Sequence, residues 1–472
     1  MKTSSLIRVF SLLLSFTMLM ALTGCNMGTT TSEIWEEEII TVSGSGNNLN
    51  DATSTQSNTP DTTSTQSTQT GKFDLKGKSV IMTGWGTGFE PQKTEKNYKE
   101  KVQRQQEIEK KYNCKITFKN SSESLLLFEE WATATLAGQR HCDIITMASN
   151  QYYPQSALRG FLSQLDGRID MNNNCWVYDV FKATELKGKH YYAFPACNSI
   201  NLAQTGIMFN KEIFSKFGLK NPYDYVAQGN WNWETFRQLA VDCTRVDNGV
   251  QYYGIGSPPT HALIRSNGGG SSYYKDGKEI FGLDTPEALE AMELSRKLYN
   301  DDKVCPLSSD VKFENGQIAM TECTWYGLKN YTDEMGDKIG YTYLPIGPKM
   351  NDYNYSAYEA GLVGVTSLAV DPDACAAILQ DWYATAPWML TLEEQAEKYC
   401  PDETAVKVMV DCCQRAMAKF EMIGFFNWYW RNVWWSDMGI KSNTSPRTYV
   451  DSIKDASQAS IDEVWDLYDS FE

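Results

Sequence analysis

The chain has 472 residues, with 43 Lys and Arg against 59 Asp and Glu, a formal charge of −16 at pH 7. That length exceeds one ordinary domain, and a composition 42% hydrophobic and 22% charged excludes both a wholly disordered chain and a polytopic membrane protein. The acidity argues against nucleic acid or anionic lipid as the main partner, since both demand a cationic face, and the unusual feature is aromatic: 14 Trp and 26 Tyr.

Lys2 and Arg8 precede an apolar run from Val9 to Leu22, a charged region followed by a short hydrophobic one, which reads as an export signal and not as a spanning helix. The run ends in Leu22–Thr23–Gly24–Cys25, which resembles the bacterial lipobox. That resemblance implies cleavage after residue 24 and diacylglycerol on Cys25; two acyl chains are what stable anchoring requires. Removing the signal peptide 1–24 takes away Lys2 and Arg8, so the mature chain is more acidic still. Residues 25–72 form a tether. Its stretch 41–70 is nearly all Ser, Thr, Asn, Gln, Gly and Asp, including Ser54–Thr55–Gln56–Ser57 and a near-copy at Ser64–Thr65–Gln66–Ser67. With no apolar period to offset ordering entropy, it is expected to be disordered, holding the folded body on the order of 35–40 Å from the anchor.

Eleven cysteines follow Cys25. An exported chain permits disulfides, but an odd number leaves at least one thiol free, and apolar neighbours such as those in Cys142–Asp143–Ile144–Ile145 favour buried reduced thiols. No CxxC occurs, and the three histidines show no HxxxH or HExxH spacing, so no metal site is expected.

The folded body opens with an α/β alternation. A strand at 78–83 stops at Gly84–Trp85–Gly86; a polar helix at about 99–112 leads to a strand at 114–118; a helix at about 125–136 leads to a strand at 142–147. Helical periods between short β runs predict βαβ units and a mainly parallel sheet, with ligands outside the carboxyl ends of its strands, here the loops 84–89 and 148–153. Further on, Asn232, Thr285 before Pro286 and Asp371 before Pro372 each carry a side chain able to cap the helix that follows. The helices from Pro286 and Pro372 show apolar packing stripes and no chemistry.

A series of ordered landmarks then resembles the extracellular solute-binding proteins of ABC importers, in particular the sugar-binding family 1 that includes maltose-binding protein. Leu186–Lys187–Gly188–Lys189–His190–Tyr191–Tyr192–Ala193–Phe194–Pro195 looks like that family's G-x-x-Y-A-x-P entry to the second lobe, and Gly206–Ile207–Met208–Phe209–Asn210–Lys211–Glu212–Ile213–Phe214 like its strand-to-helix Y-N-K turn. Trp231–Asn232–Trp233–Glu234–Thr235–Phe236 resembles its T-W-d-e-F segment. Asn267–Gly268–Gly269–Gly270 followed by Asp284–Thr285–Pro286–Glu287–Ala288, then Phe313–Glu314–Asn315–Gly316–Gln317–Ile318–Ala319–Met320, then Tyr343–Leu344–Pro345–Ile346–Gly347–Pro348 continue the series in order across roughly 73–470.

The resemblance implies an α/β, two-lobed periplasmic-binding-protein-like fold of type II with the ligand cleft between the lobes. Lobe one would hold 73–190 plus 344–388, and lobe two 191–343 plus 389–472. It further implies a monomeric, non-enzymatic, cofactor-free protein lipid-anchored at the extracytoplasmic face of the cell membrane, closing on a carbohydrate and presenting it to an ABC permease. A surface glycan-capture protein without a transporter and an exported glycoside hydrolase are the rival classes; no G-x-S-x-G occurs and Gly268–Gly269–Gly270 lacks the Lys of a phosphate loop.

Sugars offer flat C–H faces and a rim of hydroxyls, so a site needs aromatic platforms and polar side chains. By position in the family's pattern, Trp325 is the stacking candidate, and Asn150 and Gln151 are the polar contacts after the third strand. Trp85 on the first βα loop is a further candidate. Trp430 and Trp434 align with the family's late aromatic contact and, at i, i+4, share a helix face; His261 and Glu359 complete the set. The doubled tryptophan of Asn230–Trp231–Asn232–Trp233 departs from the family, as does Met147–Ala148–Ser149, which lacks the aromatic of maltodextrin binders, so maltodextrin specificity is not implied.

Overall fold

The computed structural model describes residues 73–471 apart from 86–87, 122–123, 203–204, 277, 357–359, 385, 387, 418–432 and 434–435, and these lie in one compact unit. Residues 1–72, where the signal peptide, Cys25 and the tether are expected, fall outside the described residues.

Two sheets organise the unit. The chain runs through β1 (Ser79–Thr83), β2 (Lys115–Phe118) and β3 (Ile144–Ala148), then β4 (Thr205–Asn210), β5 (Arg245–Asp247), β6 (Val250–Ile255), β7 (Ser272–Lys275), β8 (Lys278–Phe281), β9 (Ile318–Thr324), β10 (Ile339–Thr342) and β11 (Gly361–Val365). The first sheet has the order β11-β3-β1-β2, with β1 parallel to both neighbours, as the βαβ reading expects, and β11 antiparallel to β3. The second has the order β10-β4-β9-β6-β5 and departs from a mainly parallel arrangement, because only β6 and β9 run parallel. The physical reason is that β4 enters antiparallel between β9 and β10, splitting a βαβ unit whose helix is Trp325–Met335. Strands β7 and β8 form a separate hairpin.

Helix starts follow the residue chemistry. Asn232 Oδ1 accepts from Thr235 N, Thr285 Oγ1 from Ala288 N and Asp371 Oδ1 from Ala374 N, each satisfying an orphan amide of the first turn. One buried cluster lies between the first sheet and the helices Tyr98–Tyr112 and Pro372–Tyr383, joining Val80, Ile108, Ile144, Val363, Ile378 and Trp382. Asp381 on the second helix clamps the first: it accepts from Lys111 Nζ at 2.6 Å and Tyr112 Oη at 2.8 Å. The other cluster runs from the opposite face of that sheet, at Trp131 and Tyr152, into the five-stranded sheet.

Three connections join the two sheets. Ala193 still pairs with Val363 of β11, and the chain reaches β4 through the 3-10 helix Ala196–Leu202. After β10, Ile346 pairs with Asn232 beside the second sheet, and Ala360 is bonded to Ser149 at the end of β3. The third connection runs from the helix Pro372–Tyr383 to the helix Leu392–Glu397. Gln395, 4% exposed, ties the first and third together: its Oε1 accepts from Ile200 N, and its Nε2 donates to Ala196 O at 3.0 Å and Leu390 O at 2.9 Å.

The eleven cysteines beyond Cys25 are all free thiols, nine buried and two half-buried. Burial pushes Cys175, Cys305 and Cys323 up to about 12, so they stay protonated and behave as small apolar groups.

Candidate functional site

Parallel strands bring their carboxyl ends to one edge, and an antiparallel neighbour contributes its amino end to that edge. At this edge of the first sheet stand Trp85 after β1, the one-turn helix Ser149–Tyr152 after β3 and Ala360 before β11. Gly84 makes the first turn possible: a Cβ there would fall 2.2 Å from Thr146 Cγ2 and 2.8 Å from Gly88 Cα. Phe89 anchors the loop's far end, buried against Trp382 and Tyr383. Between these anchors Trp85 pairs by its backbone with Ser121 and leaves its side chain 53% exposed, a poor position for packing and an open one for a ligand.

The turn after β3 is pinned twice to Ala360: Ser149 N donates to Ala360 O, and Ala360 N donates to Ser149 Oγ, both at 2.8 Å. Tyr152 closes it from beneath, fully buried against Phe128 and Trp131. Asn150 and Gln151 occupy this turn by backbone, while their side chains lie outside the described set, as do Glu359, Trp430 and Trp434 entirely.

At the corresponding edge of the second sheet, β9 ends at Thr324, whose Oγ1 accepts from Gly327 N and so starts the helix with Trp325 at its first position. Trp325 is half-buried. Its ring meets Tyr399 edge-on at 5.2 Å and 80°, and Tyr326 at 5.7 Å and 87°, while Tyr326 is 60% exposed. Perpendicular rings fix the indole's orientation, with Trp325 packed in part against the core and Tyr326 open to water. Thr205, opening β4, pairs with Thr324 and donates through Oγ1 to Glu322 Oε1 at 2.9 Å. His261 is half-buried near the start of the helix Thr260–Ser266 that follows β6, and Arg265, one turn on along the same helix face, is buried.

The structure therefore places Trp85 and the Asn150–Gln151 turn at one sheet edge, and Trp325 and His261 at the other. The doubled tryptophan belongs to the interior: Trp231 Nε1 donates to Tyr343 O at 2.7 Å and Trp233 Nε1 to Ser266 Oγ at 3.0 Å, and both rings are buried. Glu322, Thr205, Arg265 and Tyr326 stand at or near this edge without belonging to any of the sequence landmarks. A signal for Glu322 existed, since a carboxylate interrupts the strand Ile318–Thr324 three residues before Trp325. At the opposite end of the second sheet a surface groove of about 480 Å³ is lined by Lys211, Lys216 and Lys338, whose charges are already met by Asp402, Asp247 and Glu212. Among the described residues no cluster of three or more His, Cys, Asp or Glu is placed to hold a metal, and no helix is long and apolar enough to cross a membrane.

Two α/β sheets whose ligand-type edges carry exposed aromatics define a two-lobed binding protein. Residues 90–379 match the model of the bacterial extracellular solute-binding protein family, and the chain belongs to that family. Solved structures share the fold at low identity. The GacH receptor of Streptomyces glaucescens, solved unliganded and with acarbose, matches with a TM-score of 0.58 at 16% identity, covering 82% of this chain and 99% of that one. UgpB from Mycobacterium tuberculosis, in complex with glycerophosphocholine, gives 0.57 at 14% identity over 82% and 98%. The cyclic alpha-maltosyl-1,6-maltose binding protein of Arthrobacter globiformis gives 0.56 at 15% identity over 82% and 99%. No curated protein sequence matches the chain.

Proposed function

We propose that this protein is the ligand-capturing component of an ABC importer, held by lipid on Cys25 at the extracytoplasmic face of the membrane, which binds a carbohydrate of oligosaccharide size and delivers it to a permease. The two sheets are the cores of the two lobes, divided near 190, 344 and 388, and Trp85, Asn150, Gln151, Glu359, His261, Trp325, Trp430 and Trp434 contribute to the ligand site between them. The observation that carries this reading is the aromatic corner of Trp325, Tyr326 and Tyr399 at the same kind of sheet edge that holds the exposed Trp85. Paired aromatic surface with few fixed charges suits a polyhydroxylated ligand with apolar ring faces. The sugar ligands of the GacH receptor and of the Arthrobacter protein agree with it.

A thermal-shift panel on the mature chain tests it, using maltotriose, cellotriose, xylotriose, mannotriose, galactose and glycerophosphocholine. A ligand at one hundred times its Kd stabilises the native state by about 2.7 kcal/mol, enough to raise the melting temperature measurably. At least one sugar is expected to do so. A shift with glycerophosphocholine and with none of the sugars would contradict the carbohydrate assignment.

A further inference from the structure

We infer that Glu322 is a ligand-reading acceptor at the aromatic edge of the second sheet, binding a sugar hydroxyl and making the site selective for uncharged glycans over anionic ones. This rests on the carbohydrate reading above and names the polar partner that the aromatic platform needs.

Glu322 lies on β9, which has β4 on one side and β6 on the other, three residues before Trp325 and on the face shared with Thr205. Charged groups in such a position persist when they are paired or when they are used, because withdrawing a carboxylate from water is unfavourable. Glu322 is not paired in the usual sense. Its Oε1 accepts from Thr205 Oγ1, and among the described residues no other hydrogen bond reaches the carboxylate and no cation stands within salt-bridge distance. Burial raises its carboxyl pKa, against the weaker pull of Arg265, which acts on it only through space, and of the Thr205 hydroxyl.

The single hydroxyl bond does not explain the charge, since an amide oxygen would accept from Thr205 equally well. A carboxylate offers something an amide does not: a second acceptor oxygen, and charge-assisted bonds stronger than neutral ones. Glu322 is half-buried, three residues before Trp325 on the strand that leads into it, and its second oxygen is the acceptor assigned to a solute bound at that edge. Sugar hydroxyls are donors and satisfy it. A uronate or phosphate would set a second negative charge against it in a poorly solvated place, which disfavours the ligand.

The test is Glu322→Gln, with Glu322→Ala beside it, in the mature chain. Calorimetry follows whichever neutral glycan of the panel binds the wild type, with trigalacturonate as the anionic probe, and the melting temperature of each free protein is recorded. The expected result is a free Glu322→Gln protein at least as heat-stable as the wild type, at least tenfold weaker binding of the neutral glycan, and a gain in trigalacturonate binding relative to it. Glu322→Ala, which loses both acceptors, binds no better. Unchanged affinity in Glu322→Gln, or wild type preferring trigalacturonate to the neutral glycans, overturns the assignment while leaving a sugar-binding protein. If no neutral glycan binds the wild type, the carbohydrate reading fails first and this one with it.

Discussion

Replacing Trp325 by alanine is expected to weaken sugar binding more than tenfold while moving the melting temperature of the free protein by only a few degrees. The two readouts separate because of where the ring sits. Trp325 occupies the first helical turn, and the cap that starts that helix belongs to Thr324 and Gly327, which the substitution leaves intact. Truncation loses the edge contacts with Tyr326 and Tyr399, each worth about 0.5–1.5 kcal/mol beyond area. A tenfold change in affinity is about 1.4 kcal/mol, less than the apolar area of a stacked indole supplies when a sugar covers it. Calorimetric titration beside a melting curve decides the matter. A large fall in thermal stability with normal affinity would make Trp325 a packing residue.

Asp143 should show the reverse pattern. Its side chain is fully buried at the entrance to β3, where Oδ2 accepts from Ile81 N at 2.6 Å and Oδ1 from Val370 N at 2.7 Å. It thereby joins β1 to the loop that leads into the helix Pro372–Tyr383. Asp143→Ala strands two backbone amides in the interior, and with bonds to a charged acceptor worth about 1.5–3 kcal/mol each, the expected loss of stability is about 3–5 kcal/mol. Urea unfolding of the free protein measures it, and sugar affinity extrapolated to the folded fraction should be unchanged. Burial raises the Asp143 pKa, against the pull of the two amides and Arg140. Because the folded state then takes the proton more readily than the unfolded chain, this carboxyl favours the folded state most below its unfolded pKa, and that contribution fades as pH rises through the folded value. Asp143 is therefore not a trigger for acid unfolding. A loss of under 1 kcal/mol on Asp143→Ala would mean that the two amides find other acceptors.

The alternation of strands and helices in the first sheet was legible because its strands are short apolar runs, as at Ser79–Thr83 and Ile144–Ala148, separated by segments of helical period. The second sheet was less so: its strands meet across long separations, as when Thr205 pairs with Thr324, and local periodicity carries no information about direction. The same contrast runs through the site. Trp325 could be read from its place after the Phe313–Met320 landmark, and Trp85 from the glycine that ends β1. Trp231 and Trp233 could not be assigned from sequence, because burial is set by partners as remote as Tyr343 and Ser266. Glu322 was hidden for a related reason. A single acidic residue in a strand is ordinarily a solvent-facing position, and only the neighbouring strand β4, whose Thr205 meets the carboxylate, shows that this one is half-buried.

Solute capture by two lobes requires that ligand change the shape of the molecule, because contacts available only in the closed form are what drive closure. X-ray scattering of the mature chain, recorded alone and with a saturating sugar from the panel, measures this directly. A smaller radius of gyration with the sugar, saturating at one ligand per chain, is the predicted result. Saturable binding with an unchanged scattering curve would contradict transport by closure and point to static glycan capture.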